Sequence, residues 1–241
     1  MPLKKTFAQA CEPEQNRILR ALCPRDRARI FPHLSMIDLK QGEVLYESTS
    51  TQRYAYFPLD SIASMLYIME DGHTCEIAQV GRSGMVGISI FTEAYTTTHS
   101  AVVQGAGRAW RLRAGVFREE LDRSHELRSL LLRYTQVLVT QLGQAAACNR
   151  YHTIYQQLCR WLLMALDNRP DGKLMITQEQ IANSLGVRRE GVTEAAGKLQ
   201  RAGLIECRRG QIKVLDRDGV EQTCCECYQV VSRETDRLLP Q

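Results

Sequence analysis

Residues 176–214, ITQEQIANSLGVRREGVTEAAGKLQRAGLIECRRGQIKV, decide how this chain is read. Thr177 is placed to cap a helix, with Gln180 three residues on to close a capping box. Ile181, Ala182 and Leu185 give that helix one apolar stripe, and Gly186 supplies the permissive backbone of a sharp turn. A second helix is predicted from about Arg188 to Ala202, with Val192, Ala195, Ala196 and Leu199 on its inner face and Gly203 ending it. Ile205 and Cys207, then Ile212 and Val214, alternate inward on two short strands with Arg209-Gly210 at the turn. Helix, tight turn, helix and basic hairpin together outline a winged helix-turn-helix.

Charge points the same way. The chain holds 31 Lys and Arg against 27 Asp and Glu, a net of +4. Seven cations (Arg188, Arg189, Lys198, Arg201, Arg208, Arg209, Lys213) and three anions (Glu190, Glu194, Glu206) lie between Arg188 and Lys213. The remaining 24 cations and 24 anions cancel. The whole cationic excess therefore sits on one helix and one hairpin, a footprint suited to a phosphate backbone.

At 241 residues, 44% apolar and 24% charged, the composition is that of a globular chain long enough for two cores. No run approaches the ~18 apolar residues of a membrane span. The opening MPLKKTFAQACEPEQ lacks an apolar h-region, so no signal peptide is expected. Nine cysteines, an odd number in a chain of this size, favour reduced thiols and a cytoplasmic setting. No phosphate-cradling glycine loop, dinucleotide GxGxxG, HExxH or GxSxG is present, which argues against an enzyme.

Outside the basic module, residues 14–34 read as short helices broken at Pro24 and Pro32. From Met36 to Leu112 the texture is short alternating strands: VLYE at 44–47, YAYF at 54–57, IASMLYIM at 62–69 and CEIAQV at 75–80. Turn residues separate them, the pattern of a compact antiparallel barrel or roll. From Phe117 the period turns helical. Leu127, Leu131, Tyr134, Leu138, Gln141, Ala145 and Cys148 form a narrow seam along a helix of roughly 25 residues; such a helix could simply cap the barrel, but its length and seam favour parallel pairing with a second copy. A further helix is expected over 151–168, ended by Asn168-Arg169-Pro170-Asp171-Gly172, and a last one over 220–239. The fold class is α+β. The expected divisions are a sensor roll at 1–116, a dimerisation helix at 117–150, the winged helix-turn-helix at 151–219 and a C-terminal helix at 220–241.

This order of elements resembles the Crp/Fnr family of bacterial transcription regulators. The resemblance is strongest at 176–214 and at Leu39-Lys40-Gln41-Gly42-Glu43-Val44-Leu45-Tyr46, which looks like an early strand and turn of the family's cyclic-nucleotide-binding roll. It implies a homodimer on two half-sites of a near-palindrome in double-stranded DNA, with an effector at the roll; RNA polymerase is a further candidate partner. Members that bind cAMP carry Gly-Glu, then Arg-Ser or Arg-Thr followed by Ala. The matching stretches here are Gly87-Ile88 and His99-Ser100-Ala101. Ile88 cannot accept a ribose hydrogen bond, and a neutral His99 lacks the forked donors that suit phosphate. The candidate effector-binding residues are thus Gly87, His99 and Ser100, with a cyclic dinucleotide, another small molecule or no ligand all open. No cofactor is read from the sequence. Cys224-Cys225-Glu226-Cys227, taken as helical, puts Cys224 and Cys227 on one face and Cys225 about 100° away. That arrangement favours buried thiols over a thiol switch or zinc site.

Family matching places Arg189 and Glu190 at base-reading positions. Arg189 has the geometry for guanine O6 and N7, and Glu190 can accept from cytosine N4. Arg188 is expected at phosphate, Thr193 can offer its methyl to thymine, and Glu194 replaces a base-reading Arg of the cAMP-responsive members. Thr177 and Gln178 at the start of the first helix, with Arg208, Arg209 and Lys213 on the wing, complete the candidate DNA contacts. Two rivals stand beside this reading: a winged helix that docks a protein partner, and an enzyme with a regulatory nucleotide domain.

Overall fold

The computed structural model describes residues 12–169 and 173–239. Cys11, most of the N-terminal stretch read for a leader, and Pro170-Asp171-Gly172 of the breaker lie outside the described residues.

The first α-helices among the described residues are short, α1 (Arg17–Arg20) and α2 (Pro24–Ile30). Asn16 anchors the first: its side-chain oxygen accepts from the Ile18 and Leu19 amides, while its amide group donates to Pro58 O (3.0 Å) and Gly84 O (2.9 Å). Seven strands follow as two antiparallel sheets, broken by the single-turn helix α3 (Ile88–Phe91). β1 (Ser35–Leu39), β7 (Gly107–Arg113) and β3 (Tyr54–Pro58) form one, in that order. β2 (Val44–Tyr46), β6 (Ser100–Gly105), β4 (Ile62–Ile68) and β5 (Thr74–Val80) form the other. Alternation sends Ala55, Phe57, Met65, Ala78, Val80, Ala101 and Leu112 into a shared core.

The helical stretch expected from Phe117 is two helices, α4 (Ala114–Arg123) and α5 (His125–Tyr151). Ser124 divides them. Its hydroxyl caps α5 by accepting from the Leu127 amide (3.1 Å) and donates to Asp26 (2.6 Å). α5 has 27 residues. The seam assigned to a second copy is corrected here: Leu127, Leu131, Tyr134, Leu138, Gln141 and Ala145 are all buried within the chain itself. Tyr134 donates to Met85 O (2.8 Å) and Gln141 to Gln79 O (3.2 Å), so this face is covered by the roll. The C-terminal helix α10 (Glu226–Leu238) also packs along α5. What α5 leaves outside is a second apolar stripe: Leu132, 60% exposed, Val139, 53% exposed, and Leu142.

Beyond α5 come α6 (Ile154–Asp167), β8 (Lys173–Leu174), α7 (Gln178–Leu185), α8 (Arg189–Arg201), β9 (Ile205–Arg208), β10 (Gln211–Val214) and α9 (Arg217–Thr223). Leu158, Leu162, Ile181, Leu185, Val192, Ala196, Leu199, Ile205 and Ile212 build a second core, which Ile62 of β4 also enters. The single helix expected over 220–239 is therefore two, α9 and α10, parted at Cys224-Cys225. This second unit docks on the roll. Trp161 on α6 donates to the Glu76 carboxylate (3.1 Å), and Thr74 on β5 donates to Asn183 O on α7 (3.2 Å). Gly81 lies so close to Asn168 that a Cβ there would sit 1.9 Å from its Oδ1.

Candidate nucleic-acid interface

α7 begins as the sequence requires. Thr177 Oγ1 accepts from the Gln180 amide (3.2 Å), and Gln180 Oε1 accepts from the Thr177 amide (2.9 Å), a complete capping box. The helix ends at Gly186, whose φ of +66° lies in the left-handed region that glycine adopts without strain. The chain then reverses into α8, with Arg188 as its N-cap. Val192, Ala195, Ala196 and Leu199 face inward, as their spacing predicts. Gly191 lies where α8 comes close to α6: a Cβ there would meet Ile154 Cδ1 at 2.6 Å, so that side-chain tip would have to move.

The opposite face of α8 looks outward. Arg188, Arg189, Glu190, Thr193 and Glu194 are all exposed. Among the described residues, Arg188 and Arg189 enter no ion pair, so both guanidinium groups are free for a ligand. Thr193 has its hydroxyl committed inward, 2.8 Å from Gln178 Oε1 and 3.0 Å from Arg189 O, which leaves its methyl outermost. Gln178 is thereby engaged in tying α7 to α8. Glu194 pairs with Lys198 one turn on (2.8 Å), and that contact holds its carboxyl below the usual carboxylate range. It is a fixed negative charge on the outward face.

The wing pairs β9 with β10, Arg208 opposite Gln211 and Ile205 opposite Val214, and β8 adds a third strand. Gly210, φ +73°, makes the turn. Arg209 and Lys213 project as exposed cations without an ion pair among the described residues, whereas Arg208 lies 2.9 Å from Glu206. The result is one exposed ridge whose cations include Arg188 and Arg189 at the positive end of α8 and Arg209 and Lys213 on the wing.

Residues 156–223 match the model of the Crp-like helix-turn-helix domain. The chain therefore carries a Crp-like helix-turn-helix domain, within a fold shared with regulators of the Crp/Fnr family. Solved structures share this architecture along most of the molecule. FixK2 from Bradyrhizobium japonicum is 13% identical with a TM-score of 0.66, covering 80% of this chain and 98% of its own. A CRP-family transcriptional regulator from Thermus thermophilus is 18% identical, TM-score 0.61, covering 77% and 95%. The c-di-GMP-responsive global regulator CLP of Xanthomonas campestris is 14% identical, TM-score 0.59, covering 79% and 98%. At these identities the likeness is one of fold. No curated protein matches this sequence significantly.

In the roll the effector candidates are engaged with neighbours. Both ring nitrogens of His99 are taken, Nε2 by the Tyr46 hydroxyl (2.9 Å) and Nδ1 by Thr97 Oγ1 (2.7 Å). Burial also pushes the His99 imidazole below its ordinary pKa, towards the neutral form. Ser100 Oγ accepts from the Ser48 amide (3.0 Å). Gly87, φ +111°, starts the four-residue α3 close against the Tyr54 and Ala55 backbone. A cavity of about 290 Å³ opens instead where the roll, α5, α6 and the C-terminal helices meet, lined by Gln79, Tyr134, Asp167, Arg217 and Tyr228.

Among the described residues, two clusters could hold a metal. One joins Cys23, Asp26 and Glu126, but Asp26 is already occupied by Arg29 (2.6 Å) and Ser124. The other joins Cys148 and His152 to Cys225 and Cys227. The sequence missed it because Cys225 stands outside α10 rather than on it, so the 100° separation expected of neighbouring helical residues does not apply. The signal was present as Cys-x-x-x-His at the end of one helix and Cys-x-Cys at the start of another.

Proposed function

We propose that this protein is a sequence-specific transcription regulator acting as a homodimer on near-palindromic duplex DNA. The observation that carries this reading is the exposed first turn of α8, with Arg188 and Arg189 unpaired beside Glu190 and in line with the wing cations Arg209 and Lys213. Arg189 and Glu190 read base edges in the major groove, while Arg188, Arg209 and Lys213 contact phosphate. Arg208, shared with Glu206, adds a weaker backbone contact, and Thr177 and Gln178 place the first helix over the backbone.

In this proposal 1–116 is the sensor, 117–150 joins the two copies, 151–219 holds the DNA and 220–241 braces the joint between them. The partner is met through Leu132, Val139, Leu142 and Ala146, which with Thr135 fall at the a and d positions of a heptad on the outer face of α5. The input is not cAMP bound in the usual manner, because Ile88 offers no ribose acceptor and His99 is neutral and engaged on both ring nitrogens. A cytoplasmic setting fits; among the described residues no helix is long and apolar enough to cross a membrane.

Selection from a random duplex library tests the central claim. Arg189→Ala should cost roughly 1–3 kcal/mol and flatten one base pair of the half-site logo, whereas Lys213→Ala should weaken all sequences alike and lower the salt slope by about one. A logo unchanged in Arg189→Ala would place the reading surface elsewhere. Binding that shows no dependence on salt would favour a protein-docking winged helix instead.

A further inference from the structure

The break between α9 and α10 turns the cysteine-rich segment onto the end of the long helix. Cys148 lies in the last turn of α5 and His152 caps it; Cys225 is the N-cap of α10 and Cys227 lies in its first turn. Each of the four offers one ligand atom, and these atoms all lie within 4.8 Å of one another. Cys148 Sγ is 3.7 Å from Cys225 Sγ, and Cys227 Sγ is 3.5 Å from His152 Nδ1. A tetrahedral ion with sulfur at ~2.3 Å and nitrogen at ~2.0–2.1 Å holds its donors ~3.8 Å apart for two sulfurs and ~3.5 Å for sulfur and nitrogen. The observed spacings are those of a ligand shell, and far too long for a disulfide of ~2.0 Å.

The surroundings fit as well. Nε2 of His152 points to Glu226 Oε2 at 3.5 Å, the outer carboxylate that orients a ligating imidazole. Cys148, Cys225 and Cys227 are buried and His152 half-buried, which leaves no open position for water or substrate. Cys225 stands at the positive end of a 13-residue helix, where a thiolate is favoured. Buried Arg160 is the cation nearby that offsets three thiolates on a divalent ion.

We propose that Cys148, His152, Cys225 and Cys227 bind one zinc ion per chain. Three thiolates and an imidazole in a closed tetrahedron select zinc over calcium or magnesium, and the closed shell makes the site a clamp rather than a catalytic centre. It lies where α5 passes into α6 at Thr153, so the ion ties the end of the long helix to the start of α10 and sets the joint on which the DNA-binding unit is carried.

The test uses the full chain, reduced and stripped with a chelator, titrated with cobalt(II) and then with zinc(II). One equivalent of cobalt should give the intense visible bands of a tetrahedral ion and sulfur-to-cobalt charge transfer, both bleached by one equivalent of zinc. Cys225→Ser and Cys227→Ser should lose the charge-transfer intensity, while Cys224→Ser and Cys207→Ser keep it. Glu226→Gln should keep the spectrum and weaken zinc about 10-fold or more. Because a serine variant can fail to fold, the wild-type stoichiometry is decisive: no tetrahedral spectrum in the reduced protein would overturn the site. So would loss in Cys224→Ser with retention in Cys227→Ser. None of these readouts involves DNA, so the metal site and the DNA reading stand or fall separately.

Discussion

Glu76 sits at the meeting of β5 with α6, and its surroundings set a pH dependence. Part of the residue remains exposed, yet its carboxyl is enclosed by the Ser64 hydroxyl and the Trp161 ring nitrogen. Burial raises its pKa to about 7, against the opposing pull of Ser64, Arg160 and Trp161. The folded chain therefore keeps a proton that the unfolded chain has already released. The stability tied to that proton is complete below the ordinary carboxylate range, erodes as pH climbs toward about 7, and is gone above it. Glu76→Gln should raise the melting temperature at pH 8 by a few degrees, at roughly 2–4 °C per kcal/mol in a chain of this size, and change it little at pH 5. An equal shift at both pH values would show that the carboxyl does not titrate in this range. Nothing in CEIAQV announced this residue, because its enclosure comes from a tryptophan 85 positions along the chain. Arg188, Arg189 and Glu190 were legible for the opposite reason: exposure at a helix start follows from the local pattern alone.

Elements with one apolar stripe were read correctly, and elements with two were not. α7, α8 and the wing each show a single inward set, and their boundaries fall close to those the sequence implies. α5 carries two stripes, and spacing cannot say which meets the rest of the chain. The roll and α10 take the stripe running through Leu131 and Leu138, which leaves Leu132, Val139 and Leu142 exposed, the face proposed above for a second copy. The two faces predict opposite outcomes for similar changes. Val139→Glu should leave the thermal transition nearly unchanged while converting a dimer to a monomer in sedimentation, with weaker binding to a two-half-site duplex. Leu131→Glu, which places a charge at a fully buried position, should abolish folding. A Val139→Glu protein that stays dimeric would move the interface away from α5. The tail was misread for a related reason. Helical periodicity ran on through Cys224-Cys225, but Asp216 caps α9 early and the chain must restart before α10.

The two units of the molecule each have a core of their own, so the contacts between them determine how a signal at the roll could reach the DNA face. Those contacts include a line along β5 and its end: Thr74 to Asn183, Glu76 to Trp161, and Gly81 against Asn168, with Gln104 to Ser184, Gln41 to Met175 O, Arg169 to Ala106 O and the Ile62 side chain of β4 beside them. Apart from Ile62, which packs against the second core, these are mostly single hydrogen bonds between polar groups, the kind of contact that can open without unfolding either core. Gly81 is the tightest point, because added bulk there runs into the body of the Asn168 side chain and not merely its tip. Gly81→Ala should therefore part the units at their closest approach while both remain folded. Hydrogen exchange should quicken together in β5, α6 and α7, Trp161 fluorescence should shift to the red, and far-UV circular dichroism should stay the same. Affinity for a selected duplex should change in the same variant, since α7 and α8 move with α6 as one packed unit. If exchange quickened only around Gly81 and DNA affinity did not move, the docking would be passive, and the roll would have to act through α5 alone.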